Sequence, residues 1–201
     1  CSGEENLNIG FGLKGKLNLL TKVMSLNDKK KINFKNLFSI FWVLPQMSHL
    51  LQGSPEDRRS FLDLMISATD ESYKKKIFEY KKLKNERLRI LKNTEISKSD
   101  KWLDLIEKRM SEVGVVICDC RRVFLDSLNK CFFKIDDEIP LLNLKLDGLA
   151  DQVLKIKPAL YLEELILEKL KKNRVKDSIS GRTNFSINKT DLLFYEEKTN
   201  K

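Results

Sequence analysis

Two adjacent guanidiniums, Arg58 and Arg59, follow Gly53-Ser54-Pro55 and lead into an apolar run with Phe61, Leu62, Met65 and Ile66. A planar fork of N–H donors suits bidentate contact with phosphate or carboxylate. The internal alternative is that Arg58 pairs with an acid such as Asp63 and braces the segment, a common and weak contact. From the residues alone both chemistries stay open. The element that holds the pair is easier to read. Ser54 can accept an orphan N–H, Pro55 suits the first helical position, and Glu56 and Asp57 favour the positive end of the helix dipole. The acid at the third position makes this nearly a capping box. A helix is predicted from Ser54, at a junction between short strands before it and two long helices after it.

Other residues carry weaker chemistry. Gly10-Phe11-Gly12-Leu13-Lys14-Gly15 fits the Gly-x-Gly-x-x-Gly pattern, with Asp28 near the place of a ribose-binding acid. That motif needs a strand before it and a helix after it. Here Ile9, Phe11 and Leu13 alternate and the strand-like pattern continues to Val23, so the glycines are assigned to a hairpin. Cys118 and Cys120 are two apart and Cys131 lies three turns on; without a nearby histidine or a second Cys-x-x-Cys, no zinc site is expected. Cys120 and Cys131 are assigned to the core. His49 is the only histidine, and a lone one is ordinarily structural. Lys81, Lys82, Arg87, Arg89, Arg121 and Arg122 decorate the helices. The ordinary reading is a solvated face; on DNA they would touch phosphates without reading bases. The formal charge of +9 and pI near 9.3 favour an anionic partner.

These residues need a scaffold, and the 201-residue chain is long enough to build one. Phe34 to Val43 is the densest apolar stretch and suits a buried strand ended by Pro45. A helix over residues 72–92 places Tyr73, Ile77, Tyr80, Leu83, Leu88 and Leu91 near one seam. Ser97 to Asp100 then cap a second helix. Its stripe is Trp102, Ile106, Met110, Val113, Ile117, Cys120, Phe124, Leu128 and Cys131, at steps of three or four. About 30 residues make a rod of about 45 Å, and the short connection predicts antiparallel pairing. Gly114 can admit a close neighbour. Leu142 to Leu146 reads as a strand, Gly148 to Val153 as a short helix, Pro158 opens another, and Leu192 to Tyr195 is strand-like. The division is 1–52 β-rich, 53–135 helical arm and 136–201 a mixed return segment, in an α+β chain. No apolar run reaches the roughly 20 residues of a membrane span. Free cysteines suit a reducing cytoplasm. The initial Cys1 has two readings, an internal piece of a longer protein or a lipid-anchored cysteine.

Several of these residues also carry a resemblance. The run Phe41-Trp42-Val43-Leu44-Pro45-Gln46-Met47, then Gly53-Ser54-Pro55, Arg58-Arg59 and Phe61-Leu62-Asp63, resembles the middle of the RecF family. The likeness continues through Tyr80, Asn85, Glu86 and Arg87, and again at Trp102. Gly181 and Asn188-Lys189-Thr190-Asp191-Leu192 resemble the family's Gly-Pro-His-Arg-x-Asp-Leu element, with Asn188 where the family has histidine. The resemblance implies part of an ABC-type ATPase sheet lobe with a long, antiparallel, coiled-coil-like helical arm. It implies a DNA replication, repair and recombination protein of the SOS response that binds single-stranded, gapped or linear duplex DNA. The complete family protein would bind ATP and Mg, dimerise around the nucleotide and work with other recombination-mediator proteins, away from any membrane. Gln46, Arg58, Arg59 and Asp191 become candidates on the nucleotide side or between lobes. No Gly-x-x-x-x-Gly-Lys-Ser/Thr loop occurs in these residues, so this segment alone is expected to bind no cofactor and to hydrolyse no ATP. The competing expectations are a helical adaptor for a protein partner and a lipoprotein anchored through Cys1.

Overall fold

The computed structural model describes residues 9–14, 21–26, 29–30, 50, 52–92, 96–132 and 142–196. Two compact units divide the chain, residues 1–40 and 41–201. In the first, β1 (Ile9–Lys14), β2 (Thr21–Leu26) and β3 (Lys29–Lys30) form an antiparallel sheet in that order. Ile9 pairs with Leu26 and Lys14 with Thr21. Gly10 and Gly12 therefore sit inside a strand that turns back on itself. Among the described residues, strands stand on the motif itself and after it, where the dinucleotide pattern requires a helix. The apolar stretch Phe34–Val43, Gln46, His49 and Cys1 lie outside the described residues.

The second unit begins with α1 (Pro55–Thr69). Ser54 is its N-cap: the Ser54 hydroxyl accepts the Asp57 N–H at 3.2 Å and Asp57 accepts the Ser54 N–H at 2.9 Å, a complete capping box. Such a cap contributes about 1 kcal/mol. α1 stops at Asp70, where the backbone is extended. The Asp70 carboxylate then accepts the N–H groups of Ser72 and Tyr73 at 2.7 and 3.2 Å and so starts α2 (Glu71–Lys92). The sequence reading missed this cap, although an aspartate immediately ahead of a helical pattern is its usual signal. α3 (Ile96–Phe132) has already begun before Ser97, which puts Ser97 to Asp100 in its first turn instead of at its cap.

α2 and α3 run antiparallel, but they do not stand as an isolated rod. α5 (Ala159–Lys172) lies along α3 and buries Leu162, Ile166 and Leu170 at steps of four. α3 thus becomes the central helix, covered from several sides. It buries Leu103, Ile106, Met110, Val113, Val115, Ile117, Cys118 and Leu125, a wider set than one heptad stripe. The ends of the expected stripe are corrected accordingly. Trp102 is 54% exposed and Cys131 is exposed, because no element covers those turns on that side among the described residues. Cys118 is the fully buried thiol, and burial pushes its pKa up to about 11; Cys120 is half-buried and packs against the core. At Gly114 an added Cβ would lie 3.1 Å from Ile187 and 3.5 Å from Tyr80, so the glycine admits both a loop and the partner helix.

β4 (Leu142–Asp147) and β5 (Asp191–Glu196) pair antiparallel, Leu144 opposite Phe194 and Asp147 opposite Asp191. Leu144, Leu146 and Leu192 point into the core, and the Asn129 amide of α3 exchanges two hydrogen bonds with the Leu144 backbone, both at 2.9 Å. Between the strands come α4 (Leu149–Ile156), α5 and α6 (Arg174–Ser180). α6 was not anticipated; Gly181, at φ 63°, ends it in the left-handed conformation that favours glycine. Among the described residues no helix is long and apolar enough to cross a membrane.

Candidate nucleic-acid interface and arginine junction

The two arginines that opened the sequence reading both reach the start of β5. Arg58 donates through Nε and Nη2 to the two carboxylate oxygens of Asp191, at 2.8 and 2.7 Å, and through Nη1 to the Gly53 carbonyl at 2.7 Å. Arg59 donates through Nη1 to the Thr190 carbonyl at 3.0 Å. Arg58, Arg59 and Asp191 are therefore brought together at one junction; Gln46 lies outside the described residues. The expected bracing partner, Asp63, is corrected. Five residues further along α1 it points about 140° round the helix, away from β5 and towards α3. There it takes both Nε and Nη2 of Arg121, at 2.8 and 2.9 Å, and accepts the Tyr73 hydroxyl.

Charge at the junction is unevenly matched. The Arg58 fork holds the Asp191 carboxyl below the usual carboxylate range. Burial, and then the nearby Arg121 charge, lower the Arg59 guanidinium. Hydrogen bonds from Ser72 and Arg174 likewise lower Asp70 and Asp104. A carboxylate lowered on folding contributes stability that is full above its unfolded value of about 3.9 and is lost as pH falls through the lower folded value. Denaturation midpoints should therefore decrease as the pH is taken below about 4. Asp191→Asn should be less stable than the parent at pH 7, with the gap closing as the acid range is entered. A gap that stayed constant down to pH 2 would show that the Arg58 pairing is not a charge effect.

The six basic residues singled out on the helices separate into three groups, exposed, buried and half-buried. Lys81, Lys82 and Arg89 are exposed on α2. Arg87 and Arg121 are not on a solvated face at all, being 0% and 1% exposed. Arg87 falls on the same side of α2 as Tyr73, Tyr80 and Leu91, which is the side against α3. Its Nε donates to Glu107 at 2.8 Å, Nη1 to Asp177 at 2.6 Å and Nη2 to the Leu170 carbonyl at 2.8 Å. Arg174 adds a second guanidinium to Glu107 and reaches Asp104. In Arg121, burial would lower the guanidinium, but the Asp63 carboxylate outweighs it and raises the group above its ordinary value. Arg122 is half-buried and donates to the Leu154 carbonyl at 2.8 Å.

What remains on α2 is a coherent surface. Lys74, Lys75, Phe78, Lys81, Lys82, Arg89 and Lys92 are all exposed, at helical spacing, over about 27 Å. Phe78 is 72% exposed in the middle of the cations. None of these lysines and arginines makes an ion pair among the described residues. Of the three acids of α2, Glu79 meets Arg109 and Glu86 accepts the Trp102 indole N–H, while Glu71 stands in the first turn. Lys74, Lys75, Phe78 and Lys92 were missed from the sequence, although steps of three and four from Lys81 and Lys82 mark the same face.

The fold is α+β and matches part of an ABC-type ATPase fold. Two solved structures share it, described as the recombination mediator protein RecF with ATPrS and with ATP in the RecFOR pathway. The first has a TM-score of 0.72 at 22% identity over 95% of this chain and 54% of the other. The second has a TM-score of 0.69 at 21% identity, over 94% and 52%. No family model matches the chain. The DNA replication and repair protein RecF of Brucella abortus is 33% identical over 156 residues, 77% of this chain and 40% of the relative. That of Rickettsia typhi is 29% identical over 193 residues, 94% of this chain and 52% of the relative. The chain belongs to the RecF family, and it spans about half the length of the curated relatives it matches, or less.

Proposed function

We propose that this chain is the DNA-holding helical part of a RecF-type replication and repair protein, with the basic face of α2 as its contact to the phosphate backbone. The observation that carries the reading is that face: six exposed cations, none in an ion pair among the described residues, and one exposed aromatic, in a chain of this family. Backbone charge supplies affinity without sequence, as a protein acting at gaps or ends requires. Arg58, Arg59 and Asp191 fasten α1 to β5 and act as the joint between the helical unit and the nucleotide side of the complete protein. That complete protein binds ATP with Mg, dimerises, works with other recombination mediators and is cytoplasmic. The 201 residues by themselves hydrolyse no ATP. In the nearest approach to a phosphate loop, Gly10 to Lys16, Leu17 stands where a metal-binding hydroxyl is required, and Gly10 to Lys14 is strand β1.

Fluorescence anisotropy of a labelled gapped duplex against the chain, across a salt series, tests this. Affinity should fall steeply with salt. The triple variant Lys81→Glu/Lys82→Glu/Arg89→Glu should bind at least about tenfold more weakly, with the log–log salt slope reduced by about three. Equal binding by the triple variant, or binding indifferent to salt, would remove the DNA role from α2.

A further inference from the structure

A second surface lies on α3 and α5, on residues that the basic face of α2 does not use. An open groove of about 400 Å³ is lined by Lys101, Asp104, Leu105 and Lys108 of α3 and by Leu167 and Lys171 of α5. Its floor is mostly apolar. Leu105 is 59% exposed, on a helix turn flanked by lysines four residues before it and three after. Leu167 is half-buried beside it. Of the charges, Asp104 is already engaged by Arg174 at 2.5 Å and by Lys171 at 3.4 Å. Lys101 and Lys108 make no ion pair among the described residues, and both are exposed. The groove is therefore an apolar slot under a positive rim, with its one acid neutralised from within.

We infer that this groove is a docking site for a short acidic segment of a partner protein that carries one or two large apolar side chains. The rim selects the acids and the two leucines select the apolar anchors. A slot of this volume accommodates such anchors and buries Leu105, which otherwise stays in water. Charge complementarity and the apolar floor point to the same occupant. A phosphodiester backbone would satisfy the lysines but would leave the leucines uncovered. The inference is independent of the DNA reading, because no residue of the groove belongs to α2.

The test is anisotropy of a fluorescein-labelled peptide, Asp-Glu-Leu-Glu-Asp-Leu-Phe-Glu-Asp, titrated with the 201-residue chain. Saturable binding should weaken at least tenfold in Lys101→Glu/Lys108→Glu and at least fivefold in Leu105→Ser. It should also be lost when the peptide's acids are changed to glutamine or its apolar residues to alanine. Leu105 is exposed, so unchanged melting by circular dichroism should accompany its loss of binding. Three results overturn the proposal: no saturable binding to the parent chain, binding that neither variant alters, or binding that only the lysine variant weakens. In the third case, displacement of the peptide by a DNA oligonucleotide would make the groove a nucleic-acid surface.

Discussion

Replacing Arg87 with methionine lowers the unfolding free energy by about 3–5 kcal/mol, the usual cost of breaking a buried ion pair from one side. Arg87 is fully buried, and so are its partners Glu107 and Asp177. Methionine fills much of the same volume, so the loss is electrostatic. Glu107 retains Arg174, but Asp177 loses its guanidinium and the Leu170 carbonyl loses its donor. For a chain of this size the melting temperature should fall by roughly 10 °C. Arg87→Lys should also be destabilising, because one ammonium cannot reach two carboxylates and a carbonyl in the geometry of the planar fork. Adding Asp177→Asn to the methionine variant should return part of the loss, since the stranded charge disappears. A loss below about 1 kcal/mol in urea denaturation would mean that water or a rearranged Arg174 takes over the network.

The second large effect is expected at Arg121. Its guanidinium joins α3 to Asp63 of α1 and to the Ile187 carbonyl, at 2.8 to 3.1 Å. Arg121→Met should cost about 3 kcal/mol, somewhat less than at Arg87, because Asp63 is 20% exposed and water can partly hydrate it once freed. The effect should also travel. Ile187 lies just before Thr190 and Asp191, which hold Arg59 and Arg58. Amide exchange at Ile187 to Leu192 should therefore accelerate in Arg121→Met more than exchange in α5 does. A double-mutant cycle with Asp63→Asn should give a coupling energy of about 2 kcal/mol. Additive effects, with exchange faster everywhere alike, would show only general destabilisation and no link from α3 to the arginine junction.

Much of this protein was written locally. Ser54-Pro55-Glu56-Asp57 encodes its own helix start, because the cap and its reciprocal bond lie within four residues. Alternation at Ile9, Phe11 and Leu13, and again at Leu142 to Leu146, was enough to mark β1 and β4, since strand periodicity is a property of neighbours. The Arg58-Arg59-Phe61-Leu62-Asp63 motif, with Asp191 far along the chain, was enough to suggest the family before any contact was known. The partners of the charges were not written locally. Arg87, Arg89, Arg121 and Arg122 are alike in a sequence. Burial separates them, and it comes from residues more than 50 positions away: Leu170 and Asp177 close on Arg87, and Asp63 and Ile187 on Arg121. The antiparallel helix pair suggested a rod with wet flanks; α5 and α6 on one side, and α1 with the loop before β5 on another, turned two of the six presumed phosphate contacts into internal ties. The same packing chose Asp191 over Asp63 for Arg58, because residues five apart on a helix face different neighbours. Sequence determined which elements form and where they start. Only tertiary structure decided which cations still face a ligand, because the low dielectric of the interior pairs some of them and leaves the rest in water.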